Sequence, residues 1–156
     1  ETRPGMRVLF TVSPIRHWKD GAHGNQLSKS ALLLAIDELC GRFPVRQCDY
    51  FPAYEIMMDE LRDYRFYAED MIHPSSTAIA YIWEQFVENR IDPQSREIMK
   101  CCNDILKAVE HRPFNPKSEA YRQFIFQTML KIDRLNDNFP FFDFSKEKEY
   151  LNSKLK

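Results

Sequence analysis

Two apolar patterns run along the chain: short β-branched or aromatic runs near the N-terminus, and helical periodicity over most of the rest. Arg7 to Val12 (Arg-Val-Leu-Phe-Thr-Val), closed by Ser13-Pro14, is predicted to be a buried parallel strand. A polar loop with Gly21 and Gly24 follows. Then Leu27, Ala31, Leu32, Ala35, Ile36 and Leu39 recur at helical spacing, which predicts a helix over Gln26 to Cys40, stopped by Gly41 and Pro44. Val45 to Phe51 reads as a second strand, interrupted by Arg46, Gln47 and Asp49. Strand, helix, strand at this spacing predicts a right-handed βαβ crossover in a parallel sheet.

Pro52 to Tyr67 mixes aromatic, Met and charged residues, with Ile56, Met57, Asp59, Leu61 and Arg62 spaced for a short helix. The helix from Ser76 to Asn89 carries Ala78, Ile79, Ile82, Trp83, Phe86 and Val87 on one wide face. From Ile91 onward the pattern is wholly helical. Asp92-Pro93 is an N-cap with Pro at the first helical position, opening a helix with Ile98, Cys101, Ile105, Leu106 and Val109 on its apolar side. Pro113 and Pro116 end it, and another helix is predicted from Lys117 to Leu135 through Tyr121, Phe124, Ile125, Met129 and Ile132. Phe139 to Phe144 is an aromatic cluster expected to dock across the other helices, followed by a charged terminal helix from Lys146 to Lys156. This divides the chain into an α/β part, 1–90, and a helical extension, 91–156, packing on it.

Composition narrows the function classes. With 156 residues, 44% hydrophobic and 13% aromatic, the chain has enough apolar material for a core. Its formal net charge of -1 disfavours a general nucleic-acid-binding surface. No apolar run approaches the roughly 18 residues of a membrane span, and the first residues hold no signal-peptide pattern, which leaves the compartment open. The chain opens at Glu1 without an initiator Met and enters a strand almost at once, so it is expected to be a piece of a longer protein. Cys40, Cys48, Cys101 and Cys102 have no CxxC spacing and read as reduced small hydrophobes, neither a zinc site nor a disulfide framework.

The chemistry concentrates at Asp70-Met71-Ile72-His73-Pro74-Ser75, directly before a helix. A tight turn brings an Asp carboxylate within reach of a His Nδ1–H three residues on, which fixes the tautomer and leaves Nε2 to take a proton. His73 is thus the candidate base and Asp70 its orienter. The competing reading has His73-Pro74-Ser75 merely capping the helix, with Asp70 solvated in a turn. Arg16, His17 and Trp18 follow the first strand, where an α/β enzyme gathers its site, and are candidates for substrate contact. An Arg there suits a carboxylate or phosphate, and the plainer alternative is a surface loop with one aromatic anchor. Ser13-Pro14 lacks the sharp Gly-flanked turn of a nucleophile elbow. His23 and His111 read as loop and helix-end residues. No metal set emerges, since Asp59, Glu60 and Asp63 interleave with Arg62 and Arg65 as a salt-bridged, solvated face.

Asp70-x-x-His73-Pro74 resembles the last catalytic block of the SGNH, or GDSL-like, hydrolases. Together with Thr11-Val-Ser-Pro-Ile-Arg-His-Trp18 and Tyr50-Phe-Pro-Ala-Tyr-Glu-Ile-Met-Met-Asp-Glu-Leu-Arg-Asp-Tyr-Arg-Phe-Tyr67, it is similar to the C-terminal part of the GSCFA family, a bacterial branch of that superfamily. The resemblance implies a three-layer α/β/α sheet with its active site at the carboxyl ends of the strands. Arg7 to Val12 would be the fourth of five strands and Val45 to Phe51 the fifth. The family's nucleophilic Ser, in the Gly-Ser-Cys-Phe-Ala motif, and the Gly and Asn of its oxyanion hole have no counterpart here.

The expectation is therefore the C-terminal half of an SGNH-like sheet, two parallel strands followed by an all-helical extension. It would belong to a Ser esterase or acyl-transferring enzyme that needs no cofactor and would be inactive in this form. The unpaired strand edge and apolar helix face would meet a missing N-terminal half of the same protein, or a second copy in a homodimer. The alternative from another class is a non-catalytic helical interaction module, binding a partner protein through Phe139, Phe141, Phe142 and Phe144.

Overall fold

A computed structural model describes residues 5–44 and 47–155. It is mostly helical, with one small parallel sheet and a wholly helical C-terminal region. The chain divides into two compact units, Glu1–Arg90 and Ile91–Lys156.

In the first unit, strand β1 (Val8–Phe10) leads into helix α1 (Gly21–Arg42), which returns the chain to strand β2 (Cys48–Tyr50). The strands are parallel, in register Val8↔Cys48, Leu9↔Asp49 and Phe10↔Tyr50. The Val8 amide donates to Gln47 O at 2.8 Å, and the Phe51 amide donates to Phe10 O at 2.8 Å. Both strands are shorter than predicted, because only three residues of each carry the ladder. The Val45 and Arg46 positions of the second predicted strand lie outside the described residues, as does Lys156 of the predicted terminal helix.

Helix α1 departs from expectation at both ends and on its buried face. Gly21 and Gly24 lie inside it, not in a loop, and so does Gly41. Gly21 has φ +71 and turns the chain from a 3-10 turn, Trp18–Asp20, into the helix. A Cβ at Gly24 would stand 2.8 Å from Asp20 Cβ, so that position admits the close approach that starts the helix early. The buried residues of α1 are Asn25, Lys29 and Ile36, whereas Leu27, Leu32, Leu34 and Leu39 of its Leu-rich surface are exposed. Ile36 packs with Val12 and Tyr54, joined by Leu33 and Cys40.

Helix α2 (Ala53–Glu55) continues into a π-helical turn, Ile56–Leu61, closed by a 3.3 Å bond from the Arg62 amide to Met57 O, with Arg62 left-handed at φ 42. The carboxylates and arginines predicted as a solvated face there are exposed; Asp63 pairs with Arg65, Oδ2 to Nε at 3.8 Å, and accepts from its amide at 3.0 Å, while Glu60 accepts from Tyr81 OH at 2.7 Å. Helix α3 (Ser76–Arg90) packs Ala78, Tyr81, Ile82 and Phe86 onto Phe51, Ile56, Met57 and Leu61. Its end is tied to β2 by Arg90, which donates to Asp49 Oδ2 at 2.6 Å and Tyr50 O at 2.7 Å.

The second unit contains α4 (Pro93–Glu110), α5 (Glu119–Asn138) and α6 (Ser145–Ser153). Asp92 caps α4 as predicted, accepting from the Ser95 amide at 2.9 Å, and Ser118 caps α5. Ile105, Ile125, Ile132, Leu135, Phe144 and Leu151 form one core, with Phe139 and Phe142 packed on it. Of the four aromatics proposed as a partner-binding surface, only Phe141 is therefore exposed.

Candidate active site

The Asp70–His73 turn is built by backbone pairing before any side chain is considered. Tyr67 and Pro74 form an isolated antiparallel bridge; the Ala68 amide donates to His73 O at 2.8 Å, and Ser75 N to Phe66 O at 2.7 Å. Met71 closes the loop in the left-handed region, φ 61, with its amide donating to Ala68 O at 2.9 Å. Within this hairpin the Asp70 carboxylate is used on both oxygens. Oδ1 accepts from the amides of Ile72 (2.9 Å) and His73 (3.0 Å), while Oδ2 lies 2.6 Å from His73 Nδ1.

These contacts hold the Asp70 carboxyl down to about 2, chiefly through the His73 amide, then the His73 ring and the Ile72 amide. A carboxylate at Nδ1 orients the imidazole and leaves Nε2 clear of that contact. The same segment also caps the helix, through Ser75, whose Oγ accepts from the Ala78 amide at 3.3 Å. Both side chains of the pair are about half exposed, 57% for His73 and 47% for Asp70.

The loop after β1 is held from beneath by two buried polar residues of α1. Asn25 Oδ1 accepts from the His17 amide at 2.8 Å, and Lys29 Nζ donates to Ser13 O at 2.7 Å. Burial also pushes the Lys29 ammonium below its usual range. From this loop Arg16 reaches Tyr67, donating to its hydroxyl at 3.2 Å with the guanidinium 4.6 Å from the ring centroid. Since Tyr67 bridges Pro74, Arg16 is joined to the His73 hairpin through one side chain. His17 turns its ring to Asp20 instead, Nε2 to Oδ2 at 3.4 Å, and Trp18 is exposed. His23 lies on α1, not in a loop, and His111 follows α4 with its ring against Phe124.

Beside the hairpin, an apolar groove of about 460 Å³ runs between the sheet and α3, lined by Leu9, Thr11, Pro74, Ile79 and Trp83 among others. Among the described residues no group of three or more His, Cys, Asp or Glu could hold a metal ion, and no helix is long and apolar enough to cross a membrane.

The sequence reading missed Asn25, Lys29 and Tyr67. The signal for the first two was an i, i+4 polar pair on the face that continues through Leu33 and Ile36; for Tyr67 it was only its place at the end of the aromatic and Met-rich segment from Pro52.

Two family models match the chain: the GSCFA family over residues 1–86, and the C-terminal domain of GSCFA domain proteins over residues 102–156. No curated protein and no solved structure shows significant similarity to it.

Proposed function

The chain belongs to the GSCFA family, and from that premise we propose that it is the C-terminal portion of an SGNH-type Ser esterase or acyl-transferring enzyme acting on an ester, with a carbohydrate O-acyl group as one candidate. The observation that carries this reading is the 2.6 Å contact of His73 Nδ1 with a carboxylate whose other oxygen is held by two backbone amides. Ser75 caps the helix in either reading; what supports the catalytic one is that the imidazole itself is held by the carboxylate.

In the proposed mechanism the nucleophilic Ser comes from a segment of the complete protein preceding Glu1. As its oxygen attacks the ester carbonyl, His73 Nε2 takes the hydroxyl proton, and Asp70 stabilises the imidazolium across Nδ1. That proton passes to the departing alcohol, leaving an acyl-enzyme. Water or an acceptor hydroxyl then attacks the acyl carbon, again giving its proton to His73, which returns it to the Ser oxygen. Arg16, fixed on Tyr67, is the candidate contact for an anionic group on the substrate, with His17 and Trp18 on the same loop.

The three-layer SGNH sheet belongs to this proposal as well. β1 and β2 would be its fourth and fifth strands, with the upstream half of the protein covering the open side of β1 and the groove at Leu9 and Trp83. The 1–90 part would then complete the hydrolase domain, with 91–156 as its helical extension.

The test is p-nitrophenyl acetate hydrolysis by the complete protein, by its His73→Ala variant and by this chain alone. Activity in the complete protein, lost in a folded variant and in the isolated chain, is the expected result. Undiminished activity in His73→Ala would overturn the assignment.

A further inference from the structure

Cys40 lies in the last turn of α1 and Cys48 opens β2, so the two thiols flank the connection that brings the helix back to the sheet. Their sulfurs are 3.2 Å apart although the residues are eight positions apart in sequence. Contacts on both sides fix this approach. Pro44 O accepts from the amides of Gln47 (2.7 Å) and Cys48 (3.0 Å), and Cys48 is locked in register with Val8. On the helix side, Cys40 packs against the Val12, Ile36 and Tyr54 cluster. Neither thiol is used by the Asp70–His73 chemistry.

We propose that Cys40 and Cys48 are an intramolecular dithiol–disulfide pair that locks the end of α1 to the start of β2. The bond closes by exchange with an external disulfide, such as oxidised glutathione or a protein disulfide. The half-exposed Cys40 loses its proton to solvent and attacks the oxidant, forming a mixed disulfide and releasing one thiol. Cys48, deprotonated in turn, attacks the Cys40 sulfur and releases the second thiol. Two protein thiols are oxidised and one external disulfide is reduced to two thiols; a dithiol reductant reverses both steps. Closure needs the sulfurs to move from 3.2 Å to about 2.05 Å.

The hydrogen bond with Cys48, followed by burial and the nearby charges of Cys48, Asp49 and Asp37, pushes the Cys40 thiol up to about 11. A thiol so held is a poor thiolate at neutral pH. The pair is accordingly a slow structural clasp driven by proximity, and not a fast peroxide sensor. Cys101 and Cys102 are adjacent on α4, one exposed and one half-buried, and serve as internal controls.

The experiment is incubation of the full 156-residue chain with oxidised glutathione under native conditions. Free thiols are then alkylated under denaturing conditions, followed by intact-mass measurement and peptide mapping without reduction. The expected result is loss of two hydrogens, a cross-linked peptide pair containing Cys40 and Cys48, and no such product in Cys40→Ser or Cys48→Ser. Four alkylated cysteines, glutathione adducts without an internal bond, or a cross-link between any other pair would each overturn the proposal. The wild-type map decides the matter even if a Ser variant fails to fold.

Discussion

The two units of this chain solve the burial of apolar surface differently. In the helical unit the apolar stripes of α4, α5 and α6 meet one another, so Ile105, Ile125 and Ile132 are 0–1% exposed. In the α/β unit, two short strands carry a three-residue ladder, and Leu9, Leu34, Ile79 and Trp83 stand 41–73% exposed. Three helices can close a core by themselves, whereas a parallel sheet edge is satisfied only by another strand and its faces only by further helices. Exposed apolar side chains occur in both units, Phe114, Phe126 and Phe141 in the helical one as well as Leu34 and Trp83 in the other, but the candidate chemistry lies in the α/β unit.

The largest effect that tests this contrast is catalytic. In the complete protein, His73→Ala is expected to lower esterase turnover by about 10²–10⁴-fold, while Phe141→Ala, an exposed change in the helical unit, leaves it within twofold or so. Comparable losses from both would place function outside the α/β unit. Stability should show the reverse order. Ile125→Ala removes a fully buried side chain from the helical core, at a cost of about 2–5 kcal/mol. Leu34→Ala, on the exposed side of α1, should stay within about 0.5 kcal/mol. Urea unfolding midpoints of the two variants measure the difference directly.

Association comes next in size. The open face of the α/β unit is expected to bind a hydrophobic dye or drive self-association of this chain, and Trp83→Glu with Ile79→Lys should suppress both. A monodisperse wild-type monomer that binds no dye, in light scattering and dye titration, would sink the missing-half and homodimer readings together. The smallest effect is a titration. Because folding lowers the Asp70 pKa, its stabilisation of the hairpin is complete above the ordinary carboxylate value of about 3.9 and is lost as pH falls through about 2. Amide NMR shifts of Ile72 and His73 should therefore hold steady to about pH 4 and move with a midpoint near 2. A midpoint near 3.9 would mean that the carboxylate is not held by those amides.

Much of this was legible from residues alone where the determinants are local. The cap at Asp92-Pro93, the stripes of α4 and α5, and the Asp-x-x-His spacing each lie within one or two turns of chain, so propensity and short-range geometry sufficed. Misreadings arose where distant contacts decide. Gly21, Gly24 and Gly41 were taken as breakers, but Asp20 lies close enough to Gly24 to make a glycine useful inside the first turn of α1. Leu27, Leu32 and Leu39 suggested the buried face, yet Asn25 and Lys29 occupy it because the loop at Ser13 and His17 supplies their hydrogen-bond partners. The short helix predicted within Pro52 to Tyr67 is present as α2 and the turn that continues it, but its π winding and left-handed end at Arg62 are signalled by no periodicity. The four cysteines show no pairing in their spacing, and the approach of Cys40 to Cys48 depends on where α1 ends relative to β2.

The sequence by itself determined the stripes of α4 and α5, the cap at Asp92 and the residues of the Asp70–His73 turn, because those rest on bonds and spacings within a few residues. Only the tertiary structure decided which face of α1 is buried, that Arg16 and not His17 or Trp18 joins the hairpin through Tyr67, and that two thiols meet at the crossover. Each of these depends on groups far apart in the chain whose pairing is set by packing, where burying a polar group is tolerable only if the fold brings a partner to it.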